Sequence, residues 1–229
     1  RLAALPHGAA RRTLALRIKL KATRLARQTQ EALDTARLLG KHRAFSADAA
    51  QSIVRGLAIE LINSAHDTSQ LQQTWLQLEQ LERNMPELAI QAAQRLVNLG
   101  GEPAQARTWL LPVWERMVQL PNALPDHHAL KLVRALESGL DTLDAAWLAR
   151  IESAQLANPR DARLQYLAGV ACLKRQLWGK AQQLLTQAIP HLTDAGLRAS
   201  AWRHLAALAE RRNDGEAAAE AWKKAALAQ

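Results

Sequence analysis

The chain has 229 residues, of which 48% are hydrophobic, 4% aromatic and 22% charged. Because the apolar residues are mostly Leu and Ala, and β-branched runs and Gly-rich hairpin turns are nearly absent, this composition predicts an all-α fold. The single Cys172 excludes an internal disulfide framework and a multi-cysteine zinc site, and no run of about 18 apolar residues is present that would form a transmembrane helix.

The positive charge is concentrated at one end of the chain. The formal net charge is +9, and residues 1–43 carry all of that excess, with eleven Lys and Arg against Glu31 and Asp34. From residue 44 onward there are nineteen residues of each sign. This asymmetry indicates a partner of acidic or anionic character at the N-terminal end.

The first predicted helix contains the stretch RRTLALRIKLKATRLAR, residues 11–27. Leu14, Ile18 and Leu25 follow helical spacing, and Leu16 and Leu20 lie on a neighbouring face. A separate basic stripe has spacing i, i+4, i+7 and consists of Arg17, Lys21 and Arg24. Three interpretations stay open: a solvated basic face, a site for an acidic protein segment or anionic ligand, and contact with anionic lipid headgroups. Nucleic acid is not expected, because no aromatic residues alternate with the charges.

Helical periodicity with short breaks continues to the end of the chain and predicts about twelve helices, paired in units of roughly 34–40 residues. Short connections make consecutive helices antiparallel, so the pattern predicts an α-solenoid that forms one continuous superhelix. We expect helix N-caps at Asp67-Thr68-Ser69, Asp126, Asp141 and Asp161. Pro86, Pro103 and Pro159 are expected to begin helices.

The last part of the chain resembles a tetratricopeptide repeat. In WRHLAALAERRNDGEAAAEAWKKA, residues 202–225, the repeat pattern is matched by Trp202, Leu205, Ala206, Ala218, Trp222 and Ala225. The preceding unit matches at Gly169, Ala181, Leu185 and Ala188, but has Gln165 and Cys172 where the pattern has Trp and Tyr. Residues 159–229 therefore form two clearer repeats, and residues 1–158 form a degenerate repeat region. Five further tryptophans are expected to fill the core: Trp75, Trp109, Trp114, Trp147 and Trp178.

In the register of this resemblance, several residues are expected on the concave, partner-binding face of the repeats. They are Arg17, Lys21, Arg24, Arg163, Tyr166, Val170, Leu173, Lys174 and Arg203. Tyr166, Val170 and Leu173 would form an apolar groove with a basic edge from Arg163 and Lys174. Repeat modules that bind a C-terminal carboxylate have Lys and Asn where this chain has Tyr166 and Val170, so that clamp is not expected.

No pattern in the chain predicts a catalytic or metal site. His7, His42, His66 and His191 are isolated at helix ends or loops, His127 and His128 point in different directions on a helix, and His204 faces the expected groove. Cys172 is expected to be a small buried apolar residue rather than a nucleophile. Phosphate-binding, zinc-protease and haem-attachment motifs are absent from the sequence. The chain is therefore not expected to be an enzyme, and strands or a compact pocket of hydrogen-bonded acids and histidines would contradict this interpretation.

Two segments, TWLQLEQLERNMPELAIQAAQRLVNLGGEPAQARTWL and NPRDARLQYLAGVACLKRQLWGKAQQLLTQAI, follow the basic N-terminal helix. Together with the final repeat they resemble the C-terminal region of the HemY-type tetratricopeptide proteins of proteobacteria. Members of that family are inner-membrane proteins associated with protohaem biosynthesis, with two N-terminal transmembrane segments followed by repeats. Since the chain begins at Arg1 without Met, the resemblance implies a soluble piece of such a protein, on the cytoplasmic side of the inner membrane.

These observations predict a non-catalytic scaffold that binds protein partners, among them enzymes of haem biosynthesis, on its concave face. No metal or cofactor is expected. The alternative is a tetrapyrrole-binding module, in which the propionates of haem or a porphyrin pair with Arg17, Lys21 and Arg24.

Overall fold

The computed structural model describes residues 9–119 and 123–228, with side chains from residue 12 onward. The described residues form thirteen α-helices and two short 3₁₀ helices and contain no strand, which confirms the all-α prediction. None of the described helices combines the length and the apolar character needed to cross a bilayer. The chain divides into two compact units, Arg1–Gly101 and Glu102–Gln229. The boundary expected near residue 158 lies inside the second unit, and the single continuous superhelix stays a prediction.

Unit 1 is built from six helices, which are α1 Ala9–Leu25, α2 Thr29–Lys41, α3 Ala47–Ser64, α4 Thr68–Gln77, α5 Gln80–Arg83 and α6 Pro86–Asn98. Helix α2 packs against both α1 and α3, and α3 packs in turn against α4 and α6. Leucines and Ile62 that are almost completely buried fill the space between these helices: Leu33, Leu39, Ile62, Leu71, Leu88 and Leu96. Burial of this apolar surface stabilises each helix far more than its intrinsic propensity does.

Unit 2 contains seven α-helices, which are α7 Pro103–Gln119, α8 Asp126–Glu137, α9 Ala145–Ala157, α10 Ala162–Lys174, α11 Trp178–Ala188, α12 Ala195–Arg211 and α13 Gly215–Leu227. The 3₁₀ helices lie at Leu140–Thr142 and Ile189–His191. The closest pairs are α10 with α11 and α12 with α13. Helix α10 also contacts α8 and α12, so these three alternate helices lie side by side. This is the arrangement of a tetratricopeptide-like helical repeat.

Small residues at the expected positions allow the paired helices to approach closely. A Cβ added to Gly169 on α10 would lie 2.8 Å from Cγ of Leu185 on α11, so only glycine fits there without a shift. In the last pair, Ala206, Ala218 and Ala225 are buried between α12 and α13. The repeat register predicted for residues 159–229 is confirmed at these positions.

The tryptophans occupy the core less uniformly than expected. Trp75, Trp109, Trp114 and Trp147 are buried, as predicted. Trp178 is half-buried, with the Arg211 guanidinium 4.9 Å from its ring centroid. Trp222, which matches the repeat pattern, is 42% exposed and donates its indole N–H to Glu210 at 2.7 Å.

The N-caps of the helices were predicted only in part. Asp67 and Asp161 accept hydrogen bonds from the backbone N–H groups of the following first turn, as expected. Asp126 instead lies inside the first turn of α8 after the cap Pro125, and Asp141 lies in a 3₁₀ helix. Four further N-caps were not predicted, because each short loop offers several polar residues that could serve as the cap. These caps are Ser46, Asp144, Asp194 and Asp214. Pro86 and Pro103 begin helices, whereas Pro159 precedes the cap of α10.

Candidate partner-binding surfaces

The basic stripe predicted on α1 borders an open cavity of about 650 Å³ in unit 1. We call this cavity the α1 cleft, and its lining residues are Arg17, Leu20, Lys21, Arg24, Leu25 and Phe45. The three predicted cations therefore do lie together, as the helical spacing indicated. Leu20, Leu25 and Phe45 add an apolar surface beside them, so the cleft suits a ligand with both apolar and anionic groups.

Phe45 is fixed in the cleft by the way α2 ends and α3 begins. Arg43 adopts a left-handed backbone conformation with φ of 50°, and the Ala44 N–H bonds back to the Leu39 carbonyl at 3.0 Å. This reversal directs Ala44 and Phe45 toward α1. The Arg17 guanidinium donates to the Ala44 carbonyl and lies 5.1 Å from the Phe45 ring centroid. Arg17 is thereby ordered at the cleft.

The cations of the α1 cleft are not neutralised by the protein itself. Among the side chains that the structure describes, none of Arg17, Lys21 and Arg24 forms an ion pair. Lys19 on the opposite side of α1, by contrast, pairs with Glu31 on α2 at 2.8 Å. Each of the three cleft cations is exposed, so their charge is available to a ligand.

The cations predicted as the basic edge of a partner-binding groove in unit 2, unlike those on α1, form ion pairs within the protein. Arg163 pairs with Asp126 at 3.0 Å and with Asp161 at 2.9 Å, and Lys174 pairs with Asp141. Because these charges are compensated within the unit, they provide much less attraction for an acidic partner than the cations on α1. Arg203 is exposed, and its Nε donates to the Ala199 carbonyl at 3.2 Å.

The apolar groove expected on α10 is not open. Tyr166 and Val170 are completely buried, and Leu173 is half-buried. The contacts of α10 with α8 and α12 cover these side chains, so the expectation that Tyr166 and Val170 face a partner is wrong. The repeat register did not show how closely α8 and α12 would pack against Tyr166 and Val170 on α10.

A hydrogen-bonded cluster of four side chains joins α8, α10 and α12 in unit 2. One carboxylate oxygen, Oε1 of Glu137, accepts the Tyr166 hydroxyl at 2.5 Å and the Ser200 hydroxyl at 3.2 Å. The His204 Nε2 lies 3.3 Å from the same oxygen. We call these residues the Glu137 cluster. It links three alternate helices of unit 2.

The chemistry of the Glu137 cluster is that of a structural link. Burial opposes ionisation of Glu137, but the hydrogen bonds from His204, Tyr166 and Ser200 lower the pKa of its carboxyl below the ordinary value. Burial and the neighbouring carboxylate raise the pKa of Tyr166 far above its ordinary value, so its hydroxyl is not a usable base. A nucleophilic serine would donate its hydroxyl proton to a neighbouring base such as histidine. The Ser200 hydroxyl instead donates to the Glu137 carboxylate.

The cluster also lies away from the larger cavities. Four open cavities of about 320 to 660 Å³ are lined by other residues of the described chain, and none of the four includes a member of the cluster. None of these four cavities therefore places space for a substrate beside the hydrogen-bonded Glu137 and His204.

The other candidates for chemistry are explained by packing. Cys172 is completely buried, and burial raises the pKa of its thiol, as befits a small apolar core residue. The rings of His127 and His128 lie 4.0 Å apart, centroid to centroid. Across the part of the chain that the structure describes, no group of three His, Cys, Asp or Glu side chains is arranged to hold a metal ion. His7 lies outside the described residues.

Two features of these surfaces were missed from sequence. Phe45, the only phenylalanine of the chain, lies in a loop, and its isolation between two polar helix ends was a usable signal for a functional position. The Glu137 cluster had no such signal, because its other members lie 29 to 67 positions from Glu137 along the chain and only packing brings them to it.

No protein-family model and no curated protein matches the chain. Among solved structures, it is similar to residues 41 to the end of MamA from Desulfovibrio magneticus RS-1, at 21% sequence identity and a TM-score of 0.47. The match covers 78% of this chain and 94% of that chain. A likeness of this degree does not extend to function.

Proposed function

We propose that this protein is a non-catalytic helical-repeat scaffold that binds protein partners, and that the α1 cleft is a contact surface for an acidic protein segment. The observation that carries this proposal is the set of three exposed cations without ion pairs, Arg17, Lys21 and Arg24, beside the apolar Leu20, Leu25 and Phe45. Lys19 on the same helix, by contrast, is paired within the fold with Glu31.

The apolar and the charged residues of the cleft make different contributions to binding. Burial of apolar partner side chains against Leu20, Leu25 and Phe45 supplies affinity, at about 25 cal/mol per Å² of apolar surface removed from water. The cations orient an acidic segment and raise its encounter rate, so association is expected to slow as salt is added.

The test is affinity capture from an extract of the source cells, with two charge-reversal variants compared against the natural protein. One variant carries Arg17→Glu, Lys21→Glu and Arg24→Glu. The control carries the same change at three exposed cations of unit 2, Lys131→Glu, Arg175→Glu and Lys223→Glu. We expect the cleft variant to lose a defined set of proteins that the control retains. Identical sets from all three proteins would refute the cleft as the contact surface.

A more specific proposal concerns the partners. The sequence resemblance to the HemY-type proteins supports a place beside the enzymes of protohaem biosynthesis at the bacterial inner membrane. Mass spectrometry of the proteins lost from the cleft variant tests this point directly. Enrichment of haem-pathway enzymes among them is the expected result, and their absence from that set would remove the assignment while leaving the scaffold role in place.

A second candidate ligand is a tetrapyrrole. The α1 cleft has an apolar wall beside three cations, a combination that fits a flat apolar ring with carboxylate side chains. None of the six lining residues is a His, Cys or Met able to bind iron. Haem and metal-free protoporphyrin should therefore shift their Soret bands with similar affinity, and the cleft variant should abolish both shifts. No saturable shift at micromolar ligand, or a shift confined to haem, would exclude this mode.

A further inference from the structure

Helix α1 presents an apolar stripe to solvent that its packing within unit 1 leaves uncovered. Leu14 is 58% exposed, Ile18 51% and Leu25 78%. We call these three residues the α1 stripe. They are three of the ten large apolar side chains that are exposed in the described part of the chain, and all three lie on one helix. Exposed apolar residues grouped in this way indicate a contact surface rather than ordinary surface variation.

The spacing of the stripe is that of a helix–helix interface. Residues 14, 18 and 25 are related by i, i+4 and i+11, so at about 100° per residue they fall within a sector of roughly 40°. The side of α1 that contacts α2 is a different one, where Leu20 and Thr23 are buried. Among the residues that the structure describes, α1 therefore packs against α2 on its inner side and exposes an apolar seam on its outer side.

The three cleft cations lie along one flank of this seam. Among the side chains that the structure describes, helical geometry places Lys21 next to the stripe, followed by Arg17 and Arg24, and places Ala15 and Ala22 on the opposite flank. A helix that lies in a membrane surface has a strongly charged face rich in Lys and Arg opposite an apolar face of Trp, Phe or Leu. In α1 the side opposite the stripe contains the buried Leu20 and Thr23, and the cleft cations follow one flank of the stripe. The pattern therefore favours a single neighbouring helix with carboxylates over a bilayer.

We propose that the occupant of the α1 stripe is an amphipathic helix of a protein partner with carboxylates along one flank. This inference rests on the proposed scaffold function and specifies its binding mode. Apolar side chains of the partner helix would cover Leu14, Ile18 and Leu25, and its carboxylates would pair with Arg17, Lys21 and Arg24. From Leu14 to Leu25 the stripe is about 16 Å long, which corresponds to roughly three turns of the partner helix.

The probe is a fluorescein-labelled synthetic peptide of about four helical turns, with Leu at i, i+4, i+7 and i+11 and Glu along one flank. Two control peptides accompany it, a scrambled peptide of identical composition and a version with Lys in place of Glu. Binding to the full chain is measured by fluorescence anisotropy. The stripe variant carries Leu14→Ser and Ile18→Ser, and its matched control carries Leu76→Ser and Leu81→Ser, two leucines of unit 1 that are 71% and 78% exposed.

We expect the Glu peptide to bind, and the stripe variant to weaken its binding by about tenfold or more because two apolar contacts are lost. The Leu76 and Leu81 control should bind as the natural protein does, and far-ultraviolet circular dichroism should show all variants folded. The Arg17, Lys21 and Arg24 reversal should abolish binding. The Lys peptide should fail to bind.

Three results would overturn the inference. Equal binding of the scrambled peptide would show that charge alone acts, without a helix in the seam. Stripe-dependent sedimentation with vesicles of phosphatidylcholine and phosphatidylglycerol in about a seven-to-three ratio, with no binding of the Glu peptide, would assign the seam to a lipid surface. A dimer of the natural protein that the stripe variant converts to a monomer would assign it to a second copy. If peptide binding fails while cleft-dependent capture persists, only the helical mode fails; if both fail, the proposed function fails as well.

Discussion

Replacement of Glu137 by glutamine should destabilise unit 2 by weakening the link between α8, α10 and α12. In the natural protein one ionised oxygen accepts the Tyr166 hydroxyl at 2.5 Å and the Ser200 hydroxyl at 3.2 Å, with the His204 Nε2 at 3.3 Å. Glutamine keeps the shape of the side chain and one carbonyl acceptor, but it removes the negative charge. The substitution therefore isolates the charge from the packing.

The magnitude follows from the type of hydrogen bond that is lost. A hydrogen bond to a charged group contributes about 1.5–3 kcal/mol, and one between neutral groups about 0.5–1.5 kcal/mol. With the Tyr166 and Ser200 bonds retained in neutral form, Glu137→Gln should lower the free energy of unfolding by about 1–3 kcal/mol. Tyr166→Phe should cost about 1–2 kcal/mol, and the two losses should be less than additive because both act on the same bond.

The lowered pKa of Glu137 determines how the stabilisation changes with pH. Since the folded state lowers the pKa of Glu137 below the ordinary 4.5, the folded state binds fewer protons than the unfolded state just below that pH. The stabilisation from the charge is therefore fully present above about pH 4.5 and is lost as the pH falls through the lowered pKa. The difference in stability between the natural protein and Glu137→Gln should shrink over that window.

Urea unfolding followed by circular dichroism, at neutral pH and at several values below 4.5, measures both effects. The matched control is Glu220→Gln, in which the carboxylate lost belongs to an exposed pair with Lys224 at 3.4 Å. This control should change the urea midpoint very little. If Glu137→Gln were as stable as the natural protein at neutral pH, or if its deficit grew in acid, the cluster would not act as a charged link.

Three further outcomes are expected. Gly169→Ala should cost about 1–3 kcal/mol in urea unfolding, because the new Cβ would lie 2.8 Å from Leu185 Cγ, and a stabilised variant would show that α10 and α11 are not closely packed. Arg107→Met should cost about 2–4 kcal/mol in the same assay, since the buried Arg107 side chain donates to the Gly139 carbonyl at 2.6 Å; an unchanged midpoint would contradict that role. Cys172 should react with a chromogenic disulfide reagent only in urea, because it is buried and its thiol pKa is raised; rapid reaction of the folded protein would contradict this.

The fold could be predicted from sequence where small residues mark a close approach between helices adjacent in the chain. Gly169 with Leu185, and Ala206 with Ala218, lie one helix apart, so the repeat spacing alone places them in contact. The basic stripe on α1 was predictable for the same reason, because a regular helix fixes the relative directions of Arg17, Lys21 and Arg24.

Contacts between helices that are not adjacent in the chain could not be predicted in this way. The burial of Tyr166 depends on how closely α8 and α12 approach α10, and the Glu137 cluster depends on the same distances. From the sequence alone, Glu137 would be predicted to be a solvent-exposed residue at the end of a helix. Its role appears only when two hydroxyls and an imidazole are brought to one of its oxygens.

The contrast between the two units strengthens the argument for α1 as the binding surface. In unit 2, several cations on α8 and α10 pair with nearby carboxylates, among them Arg134 with Asp194 at 2.7 Å and Arg163 with Asp126 at 3.0 Å. On α1, three like charges stand within two helical turns, and no described side chain forms an ion pair with them, although like charges at i, i+4 spacing destabilise a helix. Apolar side chains are exposed beside them. An acidic amphipathic helix would cover the exposed apolar side chains and neutralise the three cations at once.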